Sequence, residues 1–124
     1  MRFLSSKVHT IIGVIIGIIL LFAPNVFGMA NDAAATVARF VGIFIILSEL
    51  VTTSSVSPLK LVPMRVHLVL DYVTGVFLAL SPWLFGFGGA QMSEWVPHLI
   101  VGILVVGYAL VTDPQDDNGK MMAM

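Results

Sequence analysis

Four long apolar runs, separated by short polar breaks, make up most of the chain. They cover residues 8–23, 33–52, 64–81 and 94–112. A helix needs about 20 such residues to cross a bilayer, within a range of roughly 17–25, and the first run lies near the short limit. The breaks carry helix punctuation. In the turn at 25–32, Asp32 is placed to cap the second span, and the Ala33-Ala34-Ala35 run favours helix. The polar run 52–57 and Pro58 close that span. Pro63 suits the start of the third span, where its missing N–H costs nothing. Residues 88–93 form a loop with Ser93 as a candidate cap, and Pro97 falls in the first turn of the fourth span. Asp113-Pro114 stops that span, leaving a polar tail at 113–124. The pattern predicts an all-α membrane protein with four transmembrane helices.

Composition agrees. Of 124 residues, 58% are hydrophobic and 10% charged, against about 25% charged in soluble domains. That leaves too little polar surface to cover a soluble fold. A net charge of −1 gives no basic surface for nucleic acid, and the absence of cysteine excludes disulfides and thiolate metal sites.

The chain also repeats itself. His9, Gly17, Leu20, Pro24, Phe27 and Gly28 recur 58 positions later as His67, Gly75, Leu78, Pro82, Phe85 and Gly86. After a two-residue insertion, Val41-Gly42-Ile43 matches Val101-Gly102-Ile103, and Leu50-Val51-Thr52 matches Leu110-Val111-Thr112. Repeat 1 therefore covers about 8–52 and repeat 2 about 66–112, within a single membrane domain. A cleaved leader starting at Arg2 and Lys7 is the competing reading of the first span. Its register with an internal stretch opposes that.

Each repeat carries a proline, an aromatic residue and a glycine at the end of its first span. In the second copy the stretch is Ser81-Pro82-Trp83, then Leu84-Phe85-Gly86-Phe87; the first has Ala23-Pro24-Asn25 and keeps only the proline of the triplet. The second copy resembles the SPW repeat of small bacterial membrane proteins, over about residues 9–112. The resemblance implies two membrane helices per repeat, with the motif closing the first. It supplies no catalytic residues. Physically, the prolines read as helix stops, because proline disfavours helical geometry in the residue before it. Trp83, Phe85, Phe87 and Trp95 read as interfacial anchors at the outer surface.

Lys and Arg set orientation. Arg2, Lys7, Lys60, Arg65 and Lys120 fall on one side of a four-span layout, and only Arg39 breaks the pattern. Both termini are therefore expected to be cytoplasmic, in a bacterial inner membrane. Two spans per repeat make the repeats parallel rather than inverted, which lowers an alternating-access reading. Gly13 and Gly17 form a GxxxG pair suited to close helix approach.

Ionisable groups inside a membrane are costly, which makes them the candidates for function. One group is His9, Glu49, His67 and Asp71, near the cytoplasmic ends of the spans. His67 and Asp71 share a helix face, and Asp71 lies about 10 Å into its helix. The other is Arg39, Glu94 and His98, with Arg39 expected to pair with Glu94 or to contact an anionic lipid headgroup. Tyr72, Tyr108, Thr74 and Ser48 suit interhelical hydrogen bonds. No catalytic motif is present, so the expectation is a structural or accessory subunit of a membrane complex or homo-oligomer. That expectation includes no enzymatic activity, no cofactor and no bound metal, with the lipid bilayer and other membrane subunits as partners. A small proton or ion conduit through the His/Asp/Glu group is the alternative. A membrane enzyme with a metal at His9, His67 and Asp71 is a third reading.

Overall fold

A computed structural model describes residues 2–52 and 57–113. The run 53–56 and the tail from 114 onward, Lys120 included, lie outside the described residues. Four helices form: α1 (Ser6–Val26), α2 (Asp32–Val51), α3 (Met64–Leu84) and α4 (Met92–Leu110). All four are long and apolar enough to cross a membrane. At about 1.5 Å per residue, each spans close to the ~30 Å of a hydrocarbon core. Their surface is the inverse of a soluble helix. On α1, His9, Thr10, Gly13 and Gly17 are buried, while Ile11, Ile15, Ile18 and Phe22 face outward. Small and polar residues point inward because hydrocarbon solvates isoleucine and phenylalanine as well as a protein core does.

α1 packs chiefly on α2, and α3 on α4, as two parallel hairpins. Each hairpin crosses at a pair of repeat-equivalent glycines. A Cβ on Gly17 would lie 2.9 Å from the Gly42 carbonyl oxygen, and one on Gly75 would lie 2.8 Å from that of Gly102. Backbone therefore meets backbone at both crossings, which any side chain would prevent. Gly13, the other half of the GxxxG pair, instead faces the Glu49 carboxylate.

The hairpins are joined symmetrically at the end where Leu4 and Asp113 lie. The Leu4 amide donates to the Val111 carbonyl and the Asp113 amide to the Leu4 carbonyl, beside the end of α4. The amides of Leu61 and Val62 donate to the Val51 carbonyl at the end of α2. The segment leading into each odd-numbered helix thus pairs with the exit of the other repeat's second helix. Arg2, Lys7, Lys60 and Arg65 lie at this same end.

The prolines do not stop their helices. α1 runs two residues past Pro24, and α3 two past Pro82. The stop comes from Gly28 and Gly86, at φ +63° and +78°. The amides of Met29 and Phe87 then reach back to the carbonyls of Pro24 and Pro82, at 2.9 and 2.7 Å. This is a Schellman cap, with glycine in the left-handed position and proline four residues before it. Proline serves there because the bond uses its carbonyl. Its missing N–H leaves the carbonyl four residues back without a donor. In repeat 2 the Ser81 hydroxyl donates to that Leu78 carbonyl at 2.7 Å; in repeat 1 the equivalent residue is Ala23.

Caps elsewhere differ from expectation by a residue or two. Asn31, not Asp32, caps α2, its side chain accepting from the Ala34 amide at 3.0 Å. Helix α4 begins at Met92, which places Ser93 and Pro97 inside it. Phe87 is no surface anchor. It is fully buried, because the Schellman turn folds it back under the cap. Trp83 and Phe85 stay half-exposed and Trp95 partly so, with the two indoles 5.9 Å apart.

Candidate functional site

Near the end where Leu4 and Asp113 lie, His9 of α1, Glu49 of α2, and His67 and Asp71 of α3 converge in the interior. One ligand-type atom from each lies within 4.8 Å of all the others. His9 Nε2 is 2.7 Å from Asp71 Oδ2 and 3.8 Å from Glu49 Oε2. His67 Nε2 is 3.1 Å from Glu49 Oε2 and 3.3 Å from Asp71 Oδ2. None of the four side chains is more than 4% exposed.

The far side of each ring is held by a threonine of the other repeat. His9 Nδ1 lies 2.7 Å from Thr112 Oγ1, and His67 Nδ1 lies 2.7 Å from Thr52 Oγ1. Each threonine hydroxyl donates to a carbonyl four residues back, Thr112 to Tyr108 and Thr52 to Ser48. A hydroxyl has one proton, so each oxygen must accept from the imidazole. That fixes the proton on Nδ1 in both rings and turns both Nε2 atoms toward the carboxylates. Tyr108 stacks on His9 with centroids 4.2 Å apart. Thr52 and Thr112 are the residues a search for intramembrane charge passes over. Their signal in the sequence is the repeated Leu-Val-Thr that ends each repeat.

The carboxylates do not obey the repeat. Asp71 corresponds to Gly13, and Glu49 to Ala109. Repeat 1 thus supplies a carboxylate from its second helix and repeat 2 from its first. Glu49 fits because Gly13 leaves room for it.

The expected group at the loop end divides. Glu94 accepts from the amides of Ala30 at 2.9 Å and Asn31 at 3.2 Å, tying α4 to the entry of α2. His98 donates from Nε2 to the Ala34 carbonyl at 2.9 Å, its ring set edge-on to Phe87. Arg39 takes no part, so the expected Arg39–Glu94 pair does not form. Arg39 lies on the exposed face of α2, 3.5 Å from Asn25 Oδ1, whereas Glu94 is buried against amides. Of the remaining polar residues, Tyr72 lies 3.5 Å from the Ala109 carbonyl across α3 and α4, and Ser48 bonds within its own helix. Between the two polar layers, Leu20, Ile45, Leu78 and Val105 are all at most 1% exposed.

The arrangement can hold two protons or one cation between two imidazoles and two carboxylates. No curated protein and no solved structure matches the chain. The family model of the SPW repeat domain matches residues 7–112, a stretch that takes in both hairpins and ends on the threonine bonded to His9, and the chain belongs to that family of membrane proteins.

Proposed function

We propose that the protein is a non-enzymatic subunit of a membrane complex or homo-oligomer, acting through the outer surfaces of its helices. The observation that carries this reading is a sealed interior. The apolar layer of Leu20, Ile45, Leu78 and Val105 separates the two polar layers. The connections described between helices are too short to enclose a substrate. A groove of about 360 Å3 along α3 and α4, lined by Val76, Ala79, Leu80, Ile103, Gly107 and Leu110, offers an apolar surface for another membrane helix to pack on. Arg2, Lys7, Lys60 and Arg65 favour the bacterial inner membrane with the termini cytoplasmic. Extraction in mild detergent followed by native mass analysis tests the reading. A homo-oligomer or a defined complex is expected; a lone monomer under gentle conditions overturns it.

The buried histidine–carboxylate centre favours a second reading, a small proton or ion conduit. Asp71→Asn would then abolish flux in vesicles while assembly persists. Unchanged flux ends that reading, and the apolar layer already weighs against it.

A further inference from the structure

We propose that His9, Glu49, His67 and Asp71 form a binding site for one divalent transition-metal ion, with Zn2+ the best fit. The ion would bolt the two repeats together. This goes beyond the subunit reading and does not depend on it.

Three observations converge. The first is the donor set. Two Nε2 atoms and two carboxylate oxygens from three helices meet at one point. Their four nitrogen–oxygen separations run from 2.7 to 3.8 Å. A four-coordinate ion with bonds of 2.0–2.1 Å needs ligand atoms about 3.3 Å apart, which lies inside that spread, and the four atoms as a group lie within 4.8 Å of one another, so binding draws the widest pairs inward. Imidazole with carboxylate suits Zn2+ and its divalent neighbours.

The second is the outer support. A metal-bound histidine offers one nitrogen to the ion and gives the proton on the other to a fixed acceptor. Thr112 and Thr52 are those acceptors, one for each ring. Because both hydroxyls must accept, both rings in their neutral form present a bare Nε2 lone pair to the centre.

The third is what the centre lacks without an ion. His9 Nε2, Glu49 Oε1 and Asp71 Oδ2 are buried with no hydrogen-bond partner. His9 Nε2 and Asp71 Oδ2 are 2.7 Å apart, the shortest of the four separations. His67 Nε2 does hydrogen-bond to Glu49 Oε2, at 3.1 Å; the atoms left without a partner border the same centre, where an ion would meet them. Two carboxylates with two neutral imidazoles carry a charge of −2, which a buried site must cancel. One divalent ion does so. A groove of about 280 Å3 lined by Thr10, Val14, Leu50, Ser57 and Pro58 lies against Glu49.

The competing occupant is a pair of protons, and metal uptake separates the two. Protein carrying a histidine-free tag is purified in mild detergent, stripped with chelator and dialysed against Co2+. One ion per chain is expected, with the visible absorption of a four-coordinate site, displaced by Zn2+. Asp71→Asn and His67→Ala should lower uptake at least tenfold. Thr112→Val keeps all four ligands and should weaken binding by about 10–100-fold. Helical circular dichroism of each variant separates lost binding from lost fold. The unfolding midpoint of the unaltered protein should rise when Zn2+ is added back. Folded protein that binds neither ion above the level of Asp71→Asn overturns the proposal, as does a midpoint indifferent to Zn2+. The subunit reading fails on different evidence, a lone monomer, which leaves metal uptake untouched.

Discussion

Thr52 and Thr112 sit just beyond the ends of α2 and α4, where a hydroxyl can reach back to its own helix and across to the other repeat. Replacing either by valine keeps the shape and leaves a buried imidazole N–H without an acceptor. An orphaned buried donor costs about 1–3 kcal/mol, and interhelical bonds in membranes fall at the lower end of that range. Thr52→Val and Thr112→Val should therefore each destabilise by about 1–2 kcal/mol, by similar amounts, in denaturing-detergent unfolding. Unchanged midpoints in both would mean that neither bond is made. Glu94 and Arg39 offer a second contrast. Glu94→Ala removes the acceptor for two amides at the entry of α2 and should cost about 1–3 kcal/mol. Arg39→Ala should stay within about 0.5 kcal/mol, as exposed substitutions do. Equal losses from the two would restore the pairing that their opposite charges suggest. Depth and helix spacing were enough to group His9, Glu49, His67 and Asp71 from the sequence. The partner of Glu94 was not legible, because backbone amides at a helix entry leave no trace in residue identity.

At the scale of the element, the four spans were legible because hydropathy measures what a bilayer selects. The ends were less so. Proline reads as a stop because it lacks an N–H, yet in Pro24 and Pro82 it is the carbonyl that the cap uses. Glycine four residues later carries the stop, and the repeated Phe-Gly pair already marked it. Gly86→Ala should cost about 1–2 kcal/mol, since its φ of +78° is unfavourable to any side chain. A Cβ at Gly86 meets nothing within 4 Å, so the cost is purely conformational. Ser81→Ala removes the hydroxyl that serves the Leu78 carbonyl and should cost about 0.5–1.5 kcal/mol. Thermal melts of the two variants in detergent check both values. A loss at Gly86 with none at Ser81 would mean that the serine of the motif is not needed to offset its proline.

Over the whole molecule, the two repeats share a pseudo-twofold arrangement but differ at particular buried positions. At four pairs of equivalent positions one copy is large and the other small, although His9 and His67, and Leu20 and Leu78, are large and buried in both. Asp71 stands opposite Gly13 in the repeat register, Glu49 opposite Ala109, Glu94 opposite Ala34, and His98 opposite Ala38. Ala34, Ala38 and Ala109 are completely buried, as packing against a bulky neighbour requires. The duplication was legible in the sequence from matched His, Pro and Gly. The large-against-small pairs were not, because they appear only as mismatches. Within repeat 1, Gly13 and Glu49 are energetically one site. A Cβ on Gly13 runs into the Glu49 carboxylate, which His67 holds at 3.1 Å. Gly13→Ala should therefore cost about 1–3 kcal/mol by displacing that carboxylate. Glu49→Ala removes the obstacle and leaves a hole that the new methyl partly fills. The double variant should then be more stable than the sum of the single losses predicts, by about 1–2 kcal/mol in a double-mutant cycle. Strict additivity would mean that the two residues do not share space.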